Sequence, residues 1–407
     1  MVVHQLDVET AFLHGQLDEL IYMAQPPGFV DSSRPDAVCL LKRSLYGLKQ
    51  SPRCWNTTLD TGLRELQFTP TTADPCIYTG TVQKHEVILG VYVDDMLIAC
   101  SSSQVCQEVK KMVSTKFAIK DLGTVSFFLG VSIHQSEQQI KLNQPTYISN
   151  ILARFGMEDC HPIGIPMGPT DTLTQRSEGE ARADQVLYQQ IIGSLMYLST
   201  ATRPDISYAV HRLARYAADP SAAHLNAARK VLRYLKGSKE LGLRYFKTDA
   251  IKLACFCDSD WAGCPESSRS TSGLVCLLSG GPVCWLSRRQ RLVTKSTAEA
   301  EFVALSETVC EVVWLRQLLD DLGRFQEGPT PIYEDNAAAV VLANNPTSHQ
   351  RTKHIMVKLR FVGDRIANGT VQVQQIPTTE QIADGLTKPL PLASFRTLIS
   401  GLGMVVG

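Results

Sequence analysis

The sequence predicts a multidomain protein that combines α/β with α+β architecture. Three observations carry this. The chain has 407 residues, more than one domain usually holds. Two separate stretches place aspartates at the ends of short, β-branched apolar runs. Between them lies a long stretch of helical periodicity. The expected division is a strand-rich first domain over 1–135 and a mostly helical segment over 136–250 with a polar linker at about 167–185. A mixed-sheet domain over 251–390 and a C-terminal tail over 391–407 complete it.

Composition excludes some classes and leaves others open. Hydrophobic residues make up 44% and charged residues 20%, the balance of a water-exposed globular chain. Lys+Arg and Asp+Glu number 40 each, so net charge carries no nucleic-acid signal. No apolar run reaches the ~18–20 residues of a membrane span, and no membrane partner is expected. The 12 cysteines lack paired CxxC spacing and read as reduced, mostly buried thiols of an intracellular protein.

The elements follow in order. In VVHQLDVETAFLHG, Val3, Gln5 and Asp7 alternate with His4, Leu6 and Val8, so a short strand carries Asp7 at its end. Ala11, Phe12 and Leu13 then lead into a turn at Gly15. In LLKRSLYGLKQSPRCWN, Lys42, Arg43, Lys49 and Arg53 interleave with Tyr46 and Trp55. This composition suits a phosphate-and-base surface or, equally, an amphipathic surface segment. Val87–Val93 and Met96–Cys100 read as a hairpin with Asp94 and Asp95 at its turn. Adjacent carboxylates call for a cation, and Mg²⁺ prefers one or two carboxylates plus substrate phosphates. A solvated Asp-Asp turn is the alternative. Lys141–Phe155 starts as a strand and continues as a helix. Tyr188–Leu241 is helical, broken by Pro204 and Pro220 into about three helices.

In the C-terminal third, strands are expected at Lys252–Asp258, Thr271–Ser279, Pro282–Ser287, Pro331–Asp335 and Val371–Ile376. Helices are expected at Ser296–Leu322, from Asn336, over about His349–Asn368, and over Thr379–Thr387. This βββαβ(α)αβα order is that of ribonuclease H. Asp258 ends the first strand, Glu299 opens the long helix, Asp335 ends the fourth strand and Asp384 sits in the last helix. Each has a plainer reading. Ser296-Thr-Ala-Glu299 is also a capping box, Asp335 is also a helix cap, and Asp260 competes with Asp258. Glu334, beside Asp335, is expected to face away from the site by strand alternation.

Read together, QLDVETAFLHG, SLYGLKQSPRCW and YVDDMLI, followed by FFLGVSI, RPDISYAV and VLRYLKG, resemble the reverse transcriptase of copia-type LTR retrotransposons, with similarity continuing to about Pro391. The resemblance implies a polymerase palm, a helical thumb and connection, and an RNase H-like mixed-sheet domain. It implies that Asp7, Asp94 and Asp95 hold two Mg²⁺ ions in the palm, Mn²⁺ being the alternative. STAEAE, TKH and ADGLTKPL resemble the family's ribonuclease H domain and imply a second two-ion site on Asp258, Glu299, Asp335 and Asp384, acting on the RNA strand of a hybrid. Phe12 matches the ring that excludes a ribose 2′-hydroxyl. Tyr46, Gly47, Gln50, Ser51, Pro52 and Tyr92 fall where template and nucleotide bind. Leu129 and Gly130 match the hairpin that grips the primer end, Lys120 is a weaker proton-donor candidate, and Lys353 and His354 are candidate substrate contacts.

The implied partners are an RNA template, a DNA primer, an RNA–DNA hybrid and deoxynucleoside triphosphates. The implied location is the cytoplasm, within a virus-like particle, or the nucleus. Relatives carry a fingers subdomain before the QLDV strand, whereas here Met1 stands almost directly before it. The expectation is a palm with fingers missing and polymerase activity impaired. A non-catalytic nucleic-acid-binding remnant of a decayed element is the alternative.

Overall fold

The computed structural model describes residues 1–248, 250–345 and 354–406. The chain forms two compact units, Met1–Val125 with Gln317–Gly323, and Ser126–Arg316 with Arg324–Gly407.

The first unit contains, in order, β1 (Val2–Val8), the one-turn helix α1 (Ala11–His14), β2 (Tyr22–Ala24), β3 (Val38–Leu40) and α2 (Ser51–Glu65). It continues through β4 (Thr69–Pro70), β5 (Ile77–Val82), β6 (His85–Tyr92), β7 (Asp95–Cys100), α3 (Ser103–Ser114) and β8 (Ile119–Thr124). Six of these strands form an antiparallel sheet in the order β4-β5-β6-β7-β1-β8, while β2 and β3 pair apart. Apolar side chains from the sheet (Leu6, Leu89, Ile98) meet those of α2 (Trp55, Leu59, Leu63) and α3 (Val105, Val109, Val113) in one core. Local chemistry starts both helices. Pro52 sits in the first turn of α2, where its missing N–H costs nothing. Ser102 caps α3 by accepting from the Val105 N–H.

The second unit opens with β9 (Phe127–Phe128), β10 (Val131–Gln135), β11 (Gln139–Asn143) and α4 (Pro145–Arg154). The helices α5 (Gln185–Ala201), α6 (Ser207–Ala214) and α7 (Ala222–Gly237) follow, then β12 (Leu241–Phe246). These bear out the three-helix reading, with Pro204 in a short 3₁₀ turn and Ser221 capping α7 beside Pro220. Next come β13 (Leu253–Asp260), β14 (Thr271–Leu278), β15 (Gly281–Arg289), α8 (Thr297–Asp321), β16 (Thr330–Glu334), α9 (Ala337–Asn344), α10 (Met356–Ala367) and β17 (Val371–Gln375). The mixed sheet runs β15-β14-β13-β16-β17, antiparallel on the β15 side and parallel on the β17 side. The chain ends with α11 (Leu392–Gly401) and β18 (Val405–Val406).

Four expectations are corrected. No separation falls at residue 250. One core joins Leu195, Val210 and Leu232 of the helices to Val275 and Leu277 of β14 and to Leu386. Trp285 of β15 also donates its indole N–H to the Ser199 carbonyl at 2.6 Å. The C-terminal residues are no tail: Phe395, Leu398, Leu402 and Met404 enter that same core, and β18 pairs with β12. Residues Thr379–Thr387 are not an α-helix. They form 3₁₀ turns at Thr378–Glu380 and Ile382–Leu386, between Pro377 and Pro389. Two cysteine pairs, Cys100–Cys106 and Cys255–Cys276, are disulfides. Cys255 and Cys276 face each other directly across β13 and β14. Among the described residues no helix is long and apolar enough to cross a membrane.

Candidate functional site

Carboxylates gather in two places, one per unit. In the first unit the gathering follows from strand register. Asp7 of β1 lies directly opposite Asp95 of β7, and the Val8 N–H donates to the Asp94 carbonyl at 2.9 Å. The β6–β7 hairpin has Val93 and Asp94 as its turn, with Tyr92 opposite Asp95. Val93 adopts a left-handed φ of 56°, an uncommon conformation for a β-branched residue. The turn is pinned by the Trp55 indole, which donates to the Val93 carbonyl at 2.7 Å. Burial, and then the charges of Asp94 and Asp95, raise the Asp7 carboxyl above its ordinary range. Lys120, opposite it on β8, pulls it back down. Gln5 donates to Asp95 at 3.1 Å.

Beside this hairpin lies a largely apolar cavity of about 250 Å³, whose lining includes Phe12, Pro52, Trp55, Asn56, Tyr92 and Val93. Phe12 meets Tyr46 edge-on at 4.9 Å. Gly47 has φ +95°, so the loop there requires glycine. Gln50 donates to Glu19 at 3.1 Å. Ser51 is 1% exposed and its hydroxyl donates to the Leu45 carbonyl at 2.6 Å, so it shapes the loop from inside and offers no surface to a substrate. Leu129 and Gly130 form the two-residue turn between β9 and β10, both with positive φ, and belong to the second unit.

The second gathering is tighter and drier. Ligand oxygens of Asp258, Glu301 and Asp335 all lie within 4.8 Å of one another. Asp258 is 3% and Glu301 7% exposed. Burial is the first cause that raises both carboxyls. The Asp384 charge follows for Asp258, and the charges of Asp258, Glu334 and Asp335 follow for Glu301. Thr387 Oγ1 donates to Asp258 Oδ2. Asp384 stands next to Asp258, and its Oδ1 is 2.8 Å from the Lys388 ammonium. Asp260 is not one of the three, and the charges of Lys388, Arg212 and Arg215 act on it.

Glu299 is outside the cluster. Its amide N–H donates to Ser296 Oγ at 3.3 Å, and its carboxylate accepts from the Lys295 N–H at 2.7 Å and lies 3.2 Å from His354 Nε2. It caps α8, and Glu301 takes the position expected of it. Asn336, not Asp335, caps α9 through the Ala338 and Ala339 N–H groups. Glu334 does not face solvent. It is fully buried and accepts from Cys257 Sγ at 3.2 Å and from the Asn336 N–H at 3.0 Å. Burial first, and then the charges of Asp258 and Asp335, push it up to about 8. Lys353 lies outside the described residues.

The donor set of the second cluster fits a hard divalent cation. All ligands are carboxylate oxygens, and Glu301 Oε2 is buried without a hydrogen-bond partner among the described groups. A cation there would satisfy that oxygen and offset the mutual repulsion.

Residues 1–169 match the family model for reverse transcriptase (RNA-dependent DNA polymerase). The chain is 37% identical over 403 residues to a retrovirus-related Pol polyprotein from transposon RE2 of Arabidopsis thaliana, covering 99% of this chain and 28% of that protein. It is 35% identical over 309 residues to a transposon Ty5-1 protein of Saccharomyces cerevisiae, covering 75% of this chain and all of that protein. The chain thus spans less than a third of the length of these Pol polyproteins. The fold resembles a foamy viral protease–reverse transcriptase solved with an RNA/DNA hybrid, with a TM-score of 0.52 at 11% identity, covering 93% of this chain and 44% of that one.

Proposed function

Because the chain belongs to the copia-type reverse transcriptase family of transposon Pol polyproteins, we propose that it carries out two phosphoryl-transfer reactions. One is RNA-directed DNA synthesis at Asp7, Asp94 and Asp95. The other is ribonuclease H cleavage of an RNA–DNA hybrid at Asp258, Glu301 and Asp335, with Asp384 alongside. The observation that carries the reading is the convergence of Asp258, Glu301 and Asp335 within 4.8 Å, one oxygen of Glu301 left unpartnered.

Divalent ions, Mg²⁺ or Mn²⁺, bound by these carboxylates would supply Lewis-acid activation of the attacking oxygen and neutralise charge on the phosphate. The chain's own residues do the rest. Asp258 lies within β13, two residues before its end, and Asp335 lies just beyond the end of the parallel neighbour β16, so the sheet fixes their spacing. Thr387 holds the Asp258 carboxylate in one orientation. In the first unit, Trp55 and Gln5 hold the hairpin turn and Asp95. Phe12 and Tyr92, on the wall of the cavity beside it, would meet the incoming deoxynucleotide and the terminal base pair. Only an RNA strand offers 2′-hydroxyls for a nuclease to read across the minor groove.

The test is a paired assay with Mg²⁺, cleavage of a labelled RNA–DNA hybrid beside primer extension on an RNA template. Asp258→Asn should abolish cleavage alone, and Asp94→Asn extension alone. Hybrid binding that persists with neither reaction would overturn the catalytic reading in favour of a nucleic-acid-binding remnant.

A further inference from the structure

One positive charge stands among the acids of the second cluster. Lys388 Nζ lies 2.8 Å from Asp384 Oδ1, and its field is felt by Asp258, Asp335, Glu301 and Asp260 as well. Its position is built by the backbone. The N–H groups of Thr387 and Lys388 both donate to the Asp384 carbonyl, each at 3.1 Å. Consecutive side chains therefore clamp two carboxylates, Thr387 on Asp258 and Lys388 on Asp384. Asp384 is a neighbour of Asp258 yet is not one of the three residues whose ligand oxygens close to within 4.8 Å. The Lys388 ammonium stands beside its Oδ1 as an ion pair, without the alignment of a hydrogen bond.

We propose that Lys388 is a resident counter-ion, so that the site takes a first divalent ion at Asp258, Glu301 and Asp335 and admits a second at Asp384 only as the ammonium is displaced. The inference rests on the nuclease reading above. Two features make the exchange feasible. The Lys388 side chain is 43% exposed, and its flexible stem can carry the charge out to water or onto a nucleic-acid phosphate. Asp384 has 17% of its side chain exposed, which keeps it from being neutralised by solvent alone. A divalent ion brings twice the charge and several oxygen-coordination positions, so it competes for the same carboxylate.

The experiment is calorimetric titration of Mg²⁺ into the whole chain without nucleic acid, for the wild type, Lys388→Met, Lys388→Arg and Asp384→Asn. The wild type should show one stronger and one weaker binding event. Lys388→Met should tighten the weaker event by about tenfold or more, because one opposing charge at contact distance is removed. Lys388→Arg should restore wild-type values, and Asp384→Asn should lose the weaker event alone. Thermal unfolding is the second readout. Lys388→Met should melt below the wild type in EDTA and recover in Mg²⁺, as one cation replaces another. Unchanged or weaker Mg²⁺ binding in Lys388→Met, with melting indifferent to Mg²⁺, would overturn the proposal and leave Lys388 a structural anchor. If the wild type cleaves hybrid while Lys388→Met binds Mg²⁺ unchanged, only this inference fails. If the wild type binds no Mg²⁺ and cleaves nothing, the nuclease reading fails first and this proposal with it.

Discussion

Replacing Glu301 and Glu299 separately by glutamine tests the assignment of the α8 carboxylate, because each change keeps the shape and abolishes one carboxylate. Glu301 is 7% exposed, with Oε2 unpartnered and its ligand oxygen within 4.8 Å of those of Asp258 and Asp335. If that oxygen serves a divalent ion, Glu301→Gln removes one of three anionic ligands. A bound ion supplies several kcal/mol of transition-state stabilisation. Losing about 3 kcal/mol of it corresponds to roughly a hundredfold fall in hybrid-cleavage rate. Glu299→Gln keeps an oxygen to accept from the Lys295 N–H and gives up only the charge facing His354. Its cleavage rate should stay within about threefold, and any loss of stability should be a fraction of the ~0.5–2 kcal/mol that a full cap deletion costs. The assay is single-turnover cleavage of a labelled hybrid with calorimetric melting on the same samples. Loss of cleavage in Glu299→Gln, with Glu301→Gln near wild type, would refute the argument from geometry.

Three further outcomes are expected. Burial and the Asp384 charge raise Asp258 from 3.8 to about 7. The folded metal-free chain therefore binds more protons than the unfolded one, and its stability should decline as pH rises between those values. Melting curves in EDTA should show this slope, and saturating Mg²⁺ should flatten it. Arg203→Met leaves the fully buried Asp205 without the bidentate partner it has at 2.7 and 2.9 Å. Breaking a buried pair on one side costs about 3–5 kcal/mol, so denaturant unfolding should show a loss of that size, with m unchanged. Trp55→Phe removes the indole bond to the Val93 carbonyl at a net cost of about 1 kcal/mol. Primer extension should fall roughly fivefold while hybrid cleavage is unaffected, and equal loss of both would point to general unfolding.

What could be read from the chain divides by range. The first carboxylate group was legible because its geometry is local. The hairpin puts Asp94 in its two-residue turn and Asp95 at the first position of β7, one residue on from the turn the sequence suggested, and alternation along β1 fixes which side chains share a face with Asp7. The five strands of the mixed sheet were legible because each is a short run of strand length set off by turn or polar residues. The division at residue 250 was not, because a core is closed by contacts that no local pattern records. Leu232 and Leu277 share that core while lying on separate elements. The C-terminal helix had a signal in Phe395, Leu398 and Leu402, spaced at 3 and 4. Only the core it enters turns that spacing into burial.

The α8 carboxylate shows how a motif can point one turn astray when local and global chemistry compete for the same residues. STAEAE offers two glutamates, and the family likeness is read onto the first of them, Glu299. The capping-box pattern already assigned Glu299 a local partner, and a side chain engaged with the amide groups at its helix start is less free to serve a site elsewhere. Glu301 is four residues before Leu305 and eight before Val309, both fully buried, so helical periodicity points it inward. Burying a carboxylate on such a face without a partner is costly. That cost is what an unpartnered Oε2 beside Asp258 and Asp335 expresses, and a bound divalent ion is the simplest chemistry that removes it. The residue that looks least favourable in the ion-free fold is therefore the one whose placement argues most directly for what the fold binds.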